Sequence, residues 1–142
     1  MAEPISQAAL GTRAIGIRVP AELGQLIMLR ALAETVALIA DFALDEVGDI
    51  RLALDEVATS LILDAVPGST LDCAFRYDDN QMRVHVASVG AARPAVGEDS
   101  FGWHIVRTLT DSLTTTQEHY DETVSGYPTA VDFTWVRSSD NR

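Results

Sequence analysis

Glu56 and Ser60 stand four residues apart within Leu52-Ala53-Leu54-Asp55-Glu56-Val57-Ala58-Thr59-Ser60-Leu61-Ile62. On a helix that spacing puts both side chains on one face. Their companions there, Leu52, Ala53 and Leu63, are apolar. A carboxylate among such neighbours is partly desolvated, which suits a general base or an ion-dependent site. The same letters also describe an amphipathic helix whose polar edge runs from Asp55 to Ser60. Taken alone, the helix favours that plainer account.

Other chemistries find less support. His85, His104 and His119 have no His or Cys partner at metal-ligand spacing, and the chain lacks an HExxH or CxxC element, so neither zinc nor haem is expected. His85 falls on the outward phase of a strand and reads as a surface residue. No serine sits in a GxSxG elbow, which argues against a Ser-His-Asp hydrolase. Cys73, the sole cysteine, lies in an alternating apolar run and reads as a buried structural thiol.

The elements that must position Glu56 follow from periodicity. Residues 1–13 read as a loose lead-in, residues 14–137 as a single domain, and residues 138–142 as a tail. Ile15, Ile17 and Val19 alternate as a strand that ends at Pro20, a residue suited to a helix start. A helical pattern runs from Leu23 to Phe42. A second helix carries Val47, Ile50, Leu54, Val57 and Leu61 as one buried stripe, and Pro67-Gly68 closes it. Leu71, Cys73, Phe75 and Tyr77 alternate, Asp79-Asn80 turns the chain, and Met82, Val84 and Val86 alternate again: a hairpin. Residues 89–99 read as a loop. Ser100 can cap a helix through Trp103, Ile105, Val106 and Leu109 that ends near Leu113. A polar strand around Thr115 to His119, a turn at Gly126-Tyr127-Pro128, and a strand with Val131, Phe133 and Trp135 complete the order. These elements predict an α/β (α+β) two-layer sandwich, a mixed, mainly antiparallel sheet covered on one face by helices.

The totals agree with that picture. A chain of 142 residues with 47% hydrophobic and 22% charged residues has the composition of one globular domain rather than of a disordered segment. Arg30, Glu34 and Asp41 interrupt the apolar stretch from Leu23 to Leu44, so a soluble helix is expected there rather than a membrane span. With no signal peptide recognised, the expected compartment is the cytoplasm. A formal net charge of −11 repels phosphate backbones and anionic lipid, so neither direct nucleic-acid binding nor membrane binding is expected.

From Ile15 to Trp135 the chain resembles the small anti-sigma-factor serine-protein kinases of the GHKL (histidine-kinase-like ATPase) superfamily, the RsbW-like group of sporulation and general stress response. Glu56 matches the glutamate of their N-box, with Ser60 at the asparagine four residues on. Arg30 lies where the family has an arginine used for partner contacts, and Glu34 shares that helix. Ser88, Gly90 and Ala92 follow an Asp-x-Gly-x-Gly loop. Ser100 and Gly102 stand at a phosphate-cradling Gly-x-Gly, and Thr129 near a late threonine of the adenine pocket. The resemblance implies a Bergerat-type sandwich, ATP or ADP with Mg2+, Glu56 as general base, a homodimer, and two protein partners. These partners are an alternative sigma factor and a STAS-type antagonist.

The departures fall on the nucleotide contacts. Ser60 offers Mg2+ a hydroxyl in place of an amide carbonyl. Ser88 replaces a carboxylate that accepts the adenine amino group, and charge-assisted hydrogen bonds are about twice as strong as neutral ones. Ala92 and Ser100 replace glycines, and Trp103 follows directly on Gly102. The expectation is an anti-sigma factor acting on transcription chiefly by protein binding. An active serine-protein kinase is the alternative, and a degenerate histidine-kinase module the third reading.

Overall fold

Every strand foreseen from alternation is present, and each pairs antiparallel with its neighbour. The computed structural model describes residues 12–92 and 101–137. The strands are β1 (Arg13–Pro20), β2 (Thr70–Tyr77), β3 (Gln81–Gly90), β4 (Ser112–Gln117) and β5 (Tyr127–Val136), in sheet order β1-β2-β3-β5-β4. The helices are α1 (Leu26–Ile39), α2 (Leu44–Leu63) and α3 (Phe101–Leu109). Leu71, Cys73 and Phe75 of β2, Met82, Val84 and Val86 of β3, and Val131, Phe133 and Trp135 of β5 are all buried. They meet Leu29, Val36, Ile50, Leu54, Val57, Leu61 and Trp103 from the helices in one core. The result is the expected two-layer sandwich.

Local chemistry explains the boundaries. In the β2–β3 hairpin, Asp78 Oδ1 accepts from the backbone N–H of Asn80 (2.7 Å) and Gln81 (3.0 Å), which closes the turn through the side chain. At the end of α1, Asp41 adopts a left-handed φ of 67°. The Asp41 N–H then donates to Leu38 O at 3.0 Å and the Phe42 N–H to Ala37 O at 3.1 Å, the paired bonds of a Schellman cap. α2 starts on Ala43, which has no side-chain acceptor. Glu46 Oε1 therefore supplies half a capping box, accepting from the Ala43 N–H at 3.0 Å.

Several expected boundaries shift. Pro20 ends β1 rather than opening a helix, because the ladder continues one step beyond it through Ala21 N–H to Ser69 O at 2.9 Å. A 3-10 turn at Leu23–Gln25 then leads into α1. β3 runs on to Gly90, inside the segment read as a loop. α3 stops at Leu109 rather than near Leu113, since the Asp111 N–H already bonds Thr134 O at 2.9 Å beside β5. β4 accordingly starts at Ser112, and His119 lies beyond it, exposed. Tyr127 and Pro128, read as a turn, open β5. The first eleven residues of the lead-in, the tail from residue 138 and the loop through Ser100 lie outside the described residues.

Arg137 fastens the far end of the sandwich. Its guanidinium donates to Asp79 O (2.8 Å), Asp41 O (2.7 Å) and Ala40 O (2.6 Å), and stacks 4.3 Å over the Phe42 ring. It thus caps the carbonyl end of α1, where a cation is favoured by the helix dipole. Arg137→Ala is expected to lower stability by about 2 kcal/mol, read as a reduced midpoint of urea unfolding. Burial pushes the Cys73 thiol up from 9.0 to about 12. The unfolded chain therefore loses that proton first, and stability falls as pH rises from the unfolded toward the folded value. Melting curves at alkaline pH should drop more steeply for the wild type than for Cys73→Ala. Thiol reagents should label Cys73 only on unfolding.

Candidate nucleotide site and partner surface

The inner face of the sheet is apolar until its last rungs, where it turns polar. Ser88 of β3 and Thr129 of β5 are direct cross-strand neighbours. They are the buried polar residues among those described, at 7% and 5% exposure. Thr129 Oγ1 donates to Tyr127 O (2.8 Å) and accepts from Gln117 Nε2 (3.2 Å), whose amide also reaches Ala92 O at 3.3 Å. Ser88 Oγ is fully covered and has no hydrogen-bond partner. An orphaned buried hydroxyl is unusual, because such a group forfeits its hydration without replacement.

Above these rungs runs α2. Glu56, Ser60 and Asp64 follow one another at four-residue steps, all half-buried. They form a row about 12 Å long at 1.5 Å per residue. At one end the Glu56 carboxylate occupies the space that any side chain at Gly102 would need. At the other, Asp64 Oδ2 lies 2.8 Å from where a Cβ on Gly90 would stand, with Thr129 Oγ1 at 3.3 Å and Gln117 Nε2 at 3.5 Å from the same point. Desolvation raises the Asp64 carboxyl above its ordinary pKa.

The structure therefore brings Glu56 together with Gly102, and Ser88 with Gly90 and Thr129, with Ser60 on the row between. Ala92 is exposed just past β3, and Ser100 lies outside the described residues. The apolar surround expected for Glu56 does not form: Ala53 is buried, but Leu52 and Leu63 face solvent. Trp103 does not stand in the site as an obstruction, since it is buried in the core. Asp64 and Gln117 were not foreseen. Asp64 continues the spacing from Glu56 through Ser60, a signal present in the sequence; Gln117 carries no comparable signal.

An elongated ligand with a polar heterocycle suits this arrangement. Thr129 and the Asp64 carboxylate line the sheet end beside the covered Ser88 hydroxyl, and Asp64, half-buried, offers an acceptor to a ligand there. At the Gly102 end stand one carboxylate and one hydroxyl, a set that would hold Mg2+ only together with phosphate oxygens and water. Among the described residues no three of His, Cys, Asp and Glu converge. Within the row, Glu56 could accept a proton and Ser60 could orient a phosphate or its metal.

Arg30 and Glu34 lie on the opposite side of the helix pair. Arg30 Nε bonds Asp55 Oδ1 at 2.7 Å, and Arg51 Nη1 bonds Glu34 Oε2 at 3.0 Å. These pairs set α1 antiparallel to α2, so Leu23 and Ile27 come level with the 58–63 end of α2. Ile27 (74% exposed), Leu63 (69%), Leu23 and Met28 face solvent there.

No protein-family model matches the chain. The anti-sigma-F factor RsbW of Mycobacterium tuberculosis, from strain CDC 1551 / Oshkosh and from strain ATCC 25618 / H37Rv, is 31% identical over 132 residues, covering 93% of this chain and 79% of that protein. Among solved structures, the RsbU and RsbW domains of a Mycobacterium tuberculosis protein align with a TM-score of 0.65 at 14% identity. That match covers 89% of this chain and 33% of the longer one, and at such identity it speaks for the fold. The sandwich is of the GHKL type, and the chain belongs to the RsbW family of anti-sigma factors.

Proposed function

We propose that this chain sequesters an alternative sigma factor through the outer face of α1 and is displaced from it by a STAS-type antagonist. The carrying observation is the set of exposed apolar residues, Leu23, Ile27 and Met28, beside Arg30 and Glu34. Fully burying one such side chain contributes about 1.5–3 kcal/mol, so two or three can anchor a protein partner. The ion pairs to Asp55 and Arg51 hold Arg30 and Glu34 in place before binding, which lowers the ordering cost. The relative's name, an anti-sigma-F factor, supplies the class of partner.

ATP or ADP with Mg2+ would occupy the row from Glu56 to Asp64, weakly at its phosphate end. Glu56 would be the general base if phosphate were transferred to the antagonist, the serine-kinase alternative. A homodimer and a cytoplasmic location complete the proposal; no helix among the described residues is long and apolar enough to cross a membrane.

Immobilised chain should retain a sigma factor from the same cell. Ile27→Asp, at an exposed position, should weaken that binding at least tenfold without lowering the melting temperature. Retention of no sigma factor would overturn the proposal. Radiolabelled transfer to the antagonist, lost in Glu56→Ala, would establish the kinase instead of a binding-only protein.

A further inference from the structure

We infer that Asp64, the C-cap of α2, supplies the carboxylate that receives the exocyclic amino group of an adenine nucleotide at the polar end of the sheet. This rests on the reading that the row along α2 takes a nucleotide. The case begins with reach. Ser88 Oγ is fully covered, so an incoming base cannot touch it directly. Asp64 is only half-buried, and its Oδ2 projects over Gly90, where the missing side chain leaves it room.

The backbone at Asp64 is held against the sheet. The Ala91 N–H donates to Asp64 O at 2.8 Å, and the Val66 N–H to Val89 O at 2.9 Å. Ala65 and Gly90 form an isolated antiparallel bridge. The end of α2 is thereby stitched to the end of β3, which fixes the backbone from which the Asp64 carboxylate projects.

Its own bonding capacity is unspent. Asp64 makes no side-chain hydrogen bond or ion pair among the described residues, and burial raises its pKa. An amino group donating to it would relieve that desolvation, and a charged acceptor makes the stronger kind of bond. Thr129 and Gln117 flank the same point. The Gln117 amide N–H groups already reach Ala92 O and Thr129 Oγ1, which leaves its carbonyl oxygen as a second acceptor beside the carboxylate.

The test is calorimetric titration of the full chain with ADP and with purine riboside diphosphate, which lacks the amino group. Wild type should bind ADP at least tenfold more tightly than the purine analogue. Asp64→Ala should bind both alike, at the level of the purine analogue. Asp64→Asn, of the same shape without the charge, should reduce the preference severalfold and carries the test if the alanine variant does not fold. An undiminished preference for ADP in a folded Asp64 variant overturns the inference and leaves the nucleotide reading intact. Failure of wild type to bind either ligand at millimolar concentration overturns the nucleotide reading, and the inference with it.

Discussion

The close approach of the α2 terminus to the last rungs of β3 and to the start of β5 governs the rest of the molecule. Gly126 sits in that crossing with no room for a side chain: a Cβ there would stand 2.6 Å from Val89 Cγ1 and 2.7 Å from both Gly90 O and Val66 Cγ2. Such contacts force backbone to move, and overpacking of this kind costs about 1–3 kcal/mol. The tightness sets the height of α2 above the sheet. It also sets which atoms face each other, Asp64 over Gly90 and, two turns back, Glu56 against Gly102. The polar row is a consequence of this crossing and of the four-residue spacing.

The uncovered face of the sheet follows different rules. Arg18 pairs with Asp72 at 2.6 Å and His85 with Asp132 at 2.8 Å, all four partly exposed. Exposed pairs of this kind contribute about 0–1 kcal/mol, so they set solubility and local charge rather than stability. Arg76 and Arg83 stand directly opposite each other in the β2–β3 register, a mildly unfavourable pairing. The core on the other face, with Phe75, Val84 and Phe133 wholly buried, carries the energy that tolerates it.

Period and turn chemistry made the architecture legible. Strands whose inner residues alternate strictly, such as Leu71 to Tyr77 and Met82 to Val86, could be read without coordinates, because one-sided burial writes a period of two. Boundaries were less legible where tertiary bonds override local preference. Pro20 favours a helix start, yet the Ala21–Ser69 bond extends the sheet past it. Residues 110–113 continue a helical pattern, yet Asp111 is already engaged by β5. The site was legible in part for the same reason. Glu56, Ser60, Ser88 and Thr129 occupy positions fixed by motif spacing. The environment of Glu56 depends on Gly102 across the fold, and the role of Gln117 on a strand register; no local pattern encodes either. Trp103 follows directly on Gly102 yet is buried in the core; sequence gives its place in the chain and not its direction.

The turn of α2 at Asp55 and Glu56 touches both the candidate site and the proposed partner surface. Adjacent residues on a helix point about 100° apart, since 3.6 residues make a turn. Asp55 accordingly faces α1, where it holds Arg30 at 2.7 Å, while Glu56 faces α3 and fills the space above Gly102. Glu56 and Asp55 are consecutive on one rigid helix whose far end is stitched to β3. A shift of α2 at the Gly102 end would therefore carry Asp55, and its bond to Arg30, with it. Any ligand that prefers one position of α2 thus acts on the outer face of α1 with the same free energy by which a partner there acts on the ligand. The candidate site and the proposed surface share this one helix, so no longer path is required to join them.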